Sequence, residues 1–195
     1  YDLIQKLDDN HWKTIKSEEI KKIIAACSGL YLEAKSKTQE TYAGGELDIK
    51  IEAINRSSIL MELVSVSLPN SENTPFNKAL SFNKLNEFDV ELMVPENIEN
   101  TAPYWLTKTG TLGMYTVENQ TNIGKPDVIR NMKAIFNVKI GESIIPFERY
   151  IIYKYNDDVK GEVYQPLDIV PIVSSSITEK VYIFNSAKAK TVSVK

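Results

Sequence analysis

The sequence predicts a mainly β protein: an N-terminal amphipathic helix, then an immunoglobulin-like antiparallel β-sandwich, then a few additional strands. Three observations carry this. Apolar residues repeat at helical spacing before Gly44-Gly45 and at a period of two after it. The period-two segments are separated by short polar turns, with no helical pattern between them, which is how antiparallel sheets are written. A chain of 195 residues with 43% hydrophobic and 25% charged residues has the composition of one that buries a core.

The first segment, 1–41, reads as helical. Ser17 has the chemistry of an N-cap, followed by Glu18 and Glu19, whose carboxylates suit the positive end of a helix dipole. Ile20, Ile23, Ile24, Cys27, Tyr31 and Ala34 then form one stripe that predicts the buried face. Gly29 interrupts it and marks a bend or a close contact, and a weaker helical pattern covers Asp2 to Leu7.

The sandwich is expected over 42–155. Leu47, Ile49, Ile51 and Ala53 alternate with charged residues, and a second strand runs from Ile59 to Leu68. Its phase slips between Leu63 and Val64, which predicts a β-bulge. Phe88, Val90 and Leu92 alternate with Glu87, Asp89 and Glu91, which predicts a strand with a solvated acidic face. Residues 95–125 lack periodicity. Met132, Ala134, Phe136, Val138 and Ile140 resume it, Gly141-Glu142 is a tight turn, and Ser143 to Tyr155 is a long strand. Residues 156–162 read as a linker. Residues 163–195 hold about three more strands (Val163 to Val173, Val181 to Phe184, Thr191 to Val194), which complete the first sandwich or begin a second. The chain opens at Tyr1 without a signal-like segment and closes on a strand-like Lys190 to Lys195, so it reads as a piece of a longer protein.

The chemistry points away from catalysis. His11 is the single histidine and Cys27 the single cysteine, so triads, Cys-His pairs and ordinary zinc sites each lack a member. No nucleophile elbow or phosphate-binding glycine loop occurs; Gly110-Thr-Leu-Gly113 reads as a turn. Cys27 on the apolar stripe is expected to be buried. Asp157-Asp158 is turn chemistry and falls short of a calcium ligand set. A net charge of −3 without a basic block argues against nucleic acid, and no apolar run is long enough to insert into a membrane. The candidate ligand-binding residues are Tyr104, Trp105 and Tyr115. Rings in a loop at the end of a sandwich either stack on a sugar or plug the core.

Several segments resemble the region that follows the catalytic domain in PIG-L (LmbE-like) N-acetylglucosaminyl deacetylases of Bacteroidetes type. They are Ala25-Ala-Cys-Ser-Gly-Leu-Tyr-Leu-Glu-Ala34, Gly44-Gly45, Asn55-Arg-Ser57, Pro103-Tyr-Trp-Leu106, Ile123-Gly-Lys-Pro126, Tyr153 through Leu167 and Val181-Tyr-Ile-Phe184. The sequence departs from the family pattern at Asp158, where a proline is expected. The family's His-Pro-Asp-Asp metal motif is absent here. The resemblance therefore implies a non-catalytic accessory region, without a cofactor of its own, whose partner is a zinc-dependent catalytic domain of the same polypeptide. It also implies a periplasmic or extracellular setting and a glycan or amino sugar as the possible ligand. A free-standing carbohydrate-binding module and a structural spacer are the other readings.

Overall fold

The computed structural model describes residues 1–71, 73–126 and 128–195. Two helices, α1 (Asp2–Gln5) and α2 (Asn10–Ser28), precede ten strands. These are β1 (Tyr31–Ser36), β2 (Glu40–Thr41), β3 (Glu46–Ile54), β4 (Met61–Ser67), β5 (Thr74–Ala79), β6 (Asn86–Met93), β7 (Lys133–Ile140), β8 (Ser143–Asp157), β9 (Gly161–Pro166) and β10 (Asp168–Ile169). The main sheet runs β5-β4-β7-β8-β1-β3-β6, with β9 added on β8, and β10 pairs with β2. This is an immunoglobulin-like order: β5-β4-β7-β8 correspond to the C′-C-F-G sheet and β1-β3-β6 to A-B-E. The two halves meet where β1 runs parallel to β8, with Ala34, Lys35 and Ser36 beside Ile151, Ile152 and Tyr153. The sheet is thus mixed rather than wholly antiparallel, and it curls through β8 from one layer into the other.

The strands follow the alternation in the sequence. Leu47, Ile49, Ile51 and Ala53 of β3 and Ala134, Phe136 and Val138 of β7 are buried, as are Ile145, Phe147 and Ile151 of β8. The register of β4 against both β5 and β7 shifts between Leu63 and Ser65, so the bulge lies where the sequence phase slips. The β7–β8 hairpin turns on Gly141, whose φ of 61° at the first central position suits a type II′ turn. Glu87, Asp89 and Glu91 lie exposed on β6, at the edge of the sheet. Asn55 is buried after β3: its Nδ2 donates to the Ile59 and Leu80 carbonyls, and its Oδ1 accepts from Ser57 N and Oγ.

The N-terminal segment differs from its sequence reading. Helix α2 is capped by Asp9, which accepts from His11 N and Trp12 N, and not by Ser17. Ser17 is buried inside the helix and accepts from Gln5 Nε2 at 2.7 Å. The helix ends at Gly29, in the left-handed region at φ 55°, where a Cβ would come within 2.9 Å of Arg56 Cβ. Tyr31 and Ala34 therefore belong to β1 and not to the helix. Their seven-residue spacing from Ile24 and Cys27 fits a helix, but Leu30, Leu32 and Ala34 are the buried alternate residues of a strand. The buried stripe is corrected as well. Ile24 and Ala25 pack against the core, whereas Ile23 is 56% exposed and Cys27 is exposed. Small serines at 17 and 28 take the inward positions.

Residues 156–162 are no linker: they form the tip of the β8–β9 hairpin, with Asp157 paired to Gly161. Asp157 Oδ1 accepts from Val159 N (2.9 Å) and Lys160 N (2.8 Å), and these bonds hold its carboxyl below the ordinary carboxylate value. Of the expected C-terminal strands, Val163 to Val173 becomes β9 and β10. Val181 to Phe184 is not a strand, and Val194 makes only an isolated bridge with Ile177. Alternation alone forms no strand without an edge to pair with.

Replacing Ile24 with Asp would set a carboxylate against the core cluster, at a cost on the order of 2 kcal/mol. That corresponds to a fall in melting temperature of about 4–8 °C for a chain of this size. Ile23→Asp, on the exposed side, should leave the melt within about 1 °C. Thermal denaturation followed by circular dichroism separates the two.

Candidate functional site

The long connection 94–132, between β6 and β7, closes one end of the sandwich. Its two ends are tied to regular structure. Val94 N donates to Gly45 O at 2.9 Å and Gly44 N to Val94 O at 3.1 Å. Thr101 N donates to Ile169 O, and Ile169 N to Thr101 Oγ1, both at 2.8 Å. Near the far end, Arg130 Nη1 binds Asp168 Oδ1 at 2.6 Å and Leu167 O at 2.7 Å. The strand pair β2–β10 thus anchors both arms of the loop.

Between the arms lies a cleft of about 840 Å³. Its floor is apolar and buried: Met132, Ile151, Leu167 and Ile169. Tyr104 stands on its wall, and the side chains of Asn100, Asn119, Asn122 and Asn131 line it. Those of Asn100 and Asn131 make no hydrogen bond among the described residues. The two cations of the lining are both paired, Arg130 with Asp168 and Lys108 with Glu118 at 3.4 Å. An apolar floor with one ring, several amides and the carboxylate of Glu99, which makes no ion pair among the described residues, suits a neutral or cationic ligand bearing hydroxyl or amide groups.

Of the three residues expected to bind, the structure brings two together. Tyr104 lines the cleft, and Trp105 meets it edge to face, with ring centroids 5.0 Å apart. Trp105 is half-buried and does not line the cleft, so it acts as a buttress for Tyr104. Tyr115 is 67% exposed, just beyond the Thr111–Met114 turn, and stands outside the cleft. Arg130 and the four asparagines went unread in the sequence, because isolated polar residues in a segment without period carry no signal until the fold collects them. His11 and Trp12 lie in the first turn of α2, with rings 5.4 Å apart. Among the described residues no group of three His, Cys, Asp or Glu side chains could hold a metal, and no helix is long and apolar enough to cross a membrane.

The cleft floor continues into the β8–β9 hairpin, which is anchored from its other face. Lys154 Nζ stands 2.7 Å from Glu33 Oε2, with side-chain exposures of 11% and 9%. Glu162 approaches the same ammonium at 3.7 Å, and the Tyr164 ring lies under it at 5.3 Å. Burial pulls Lys154 down, but the Glu33 carboxylate paired with it outweighs this and holds the ammonium above its ordinary value. Burial, with the hydrogen bond to Glu33, pushes the Tyr31 phenol up. The stability tied to a raised lysine is fully present below the ordinary value of 10.5 and is lost only as pH climbs through the folded-state value.

Lys154→Met should therefore strand the Glu33 carboxylate and cost on the order of 3 kcal/mol in urea denaturation. Adding Glu33→Leu should recover most of the loss, because the pair is then replaced by apolar packing. The chain matches no protein-family model, no curated protein and no solved structure.

Proposed function

We propose that this chain is a non-catalytic accessory region of a PIG-L/LmbE-type amino-sugar N-deacetylase, in a periplasmic or extracellular protein. It supports or positions a zinc-dependent catalytic domain that lies outside it. What supports the reading is where the family-like segments fall. Gly29 ends α2 in the left-handed region, Gly44 and Gly45 bond to Val94 ahead of β3, and Asn55 is the buried hub of its turn. Pro103 to Leu106 carries the cleft wall, and Tyr153 to Leu167 is the β8–β9 hairpin. Gly29, Gly44, Gly45 and Asn55 are positions where this fold restricts the residue it can use, which ties that part of the resemblance to the scaffold. Ile123 to Pro126 and Val181 to Phe184 are the exceptions, both being irregular and largely exposed.

In this reading the cleft contributes a sugar contact beside the catalytic domain, with Tyr104 against a pyranose face. A second reading, a carbohydrate-binding module acting alone, is favoured by the amide-rich lining beside the Tyr104 ring.

Tyr104→Ala tests the first reading in the full-length enzyme. A stacking contribution of about 1 kcal/mol corresponds to a rise of about fivefold in KM for the acetylated amino sugar, with kcat and zinc content unchanged. An unchanged KM with an earlier melt would make Tyr104 a packing residue.

A further inference from the structure

Two strand residues beyond the cleft, Tyr153 and Tyr155, form a ring pair that the site itself does not use. Along β8 every second side chain shares a face. Ile151 belongs to the cleft floor. Ile151 and Tyr153 lie beside Ala34 and Ser36 of β1, both buried, so their face is the inner one. Tyr153 and Tyr155 therefore share the face of Ile151 but lie beyond the cleft lining, on the projecting part of the hairpin. Their rings lie 5.7 Å apart at an interplanar angle of 29°. Opposite them on β9 stand Gln165 and Val163, paired with Tyr153 and Tyr155 in register. The same alternation sends Lys154 and Tyr164 to the other face, into the Glu33 network.

We infer that Tyr153 and Tyr155 form an aromatic platform continuous with the cleft, and that the combined surface binds a linear glycan chain rather than a single sugar. The inference rests on the proposed sugar contact at Tyr104 and deepens it. From Ile151 to Tyr155 the strand advances about 13 Å, at about 3.3 Å per residue. That length exceeds one pyranose ring and accommodates a short run of linked ones. The chemistry along it is uniform. Apolar floor and rings meet the sugar faces, while the amides of Asn100, Asn131 and Gln165 meet hydroxyl and acetamido groups. Arg130 is held by Asp168, and the lining also carries the carboxylates of Glu99 and Glu118, so the surface favours neutral chains over phosphorylated or uronic ones. The Lys154–Glu33 pair holds the hairpin that presents the platform.

Isothermal titration of the whole chain with N-acetylglucosamine and with its β-1,4-linked oligomers up to the hexamer tests the platform. Affinity should rise about tenfold between the monomer and the oligomer that first reaches Tyr155, and then level off. Tyr155→Leu should cancel the gain with length and leave monomer binding as it was. Tyr155→Phe, which keeps the ring, should retain the gain, and Tyr104→Ala should weaken binding at every length. Equal affinity at all lengths, with Tyr155→Leu silent and Tyr104→Ala still harmful, overturns the platform and leaves the sugar contact at Tyr104 standing. Absence of binding at every length overturns both.

Discussion

Strand β8 has fifteen residues and its hairpin partner β7 has eight. Backbone N–H and C=O groups that leave water must find partners, so the far half of β8 cannot be left bare against the core. Two neighbours meet this need: β1 runs parallel to residues 151–153, and β9 folds back antiparallel along 152–157. Both additions shape the molecule. The parallel contact joins the A-B-E layer to the C′-C-F-G layer and curls one sheet into a sandwich. The antiparallel one brings Leu167 and β10 back beneath the 94–132 connection, where they form the cleft floor and pair with β2. The cleft exists because one strand outruns its partner.

The same strand explains how structural and ligand-facing roles are kept apart. Alternation assigns odd residues from Ile151 to the cleft face and even residues from Ile152 to the opposite one. Lys154 can then be buried in a charged network with Glu33, Glu162 and Tyr164 without taking space on the aromatic side. A buried ion pair contributes little net stability compared with apolar packing, but it is exacting about geometry. Here it ties β1 to the far half of β8, where β9 folds back.

Legibility in the sequence followed the reach of each interaction. Strands β3, β6, β7 and β8 announce themselves because burial on one face forces a period of two, and the slip at Val64 marks the bulge for the same reason. The start of α2 was misread because Ser17 and Asp9 both carry N-cap chemistry, and only the packing of Gln5 on Ser17 decides between them. The buried face was misread because the helix meets the core through Ile24 and Ala25 alone, and small serines fill the rest. Asn156 to Glu162 is polar in a hairpin tip as it would be in a linker; the difference lies in Val163 to Pro166 finding an edge on β8, a non-local fact. Tyr104 was legible as a ring in an aperiodic loop. Arg130 was not, since its role depends on Asp168, thirty-eight positions away.

Charge placement then narrows what the cleft can hold. A net charge of −3 is spread so that the carboxylates of β6 lie on an exposed edge, while Arg130 of the cleft is held by Asp168 and Lys108 makes an exposed pair with Glu118. An anionic ligand that engaged Arg130 would have to displace Asp168 from it, a bond that also holds the loop to β10. Releasing it would loosen the arm that forms the wall, so anion binding and cleft integrity oppose each other. A neutral ligand faces no such conflict, since it can use the amides of Asn100 and Asn131 as they stand. Under the proposed function, a preference for uncharged chains would follow from the scaffold that builds the cleft, without a residue devoted to rejecting anions.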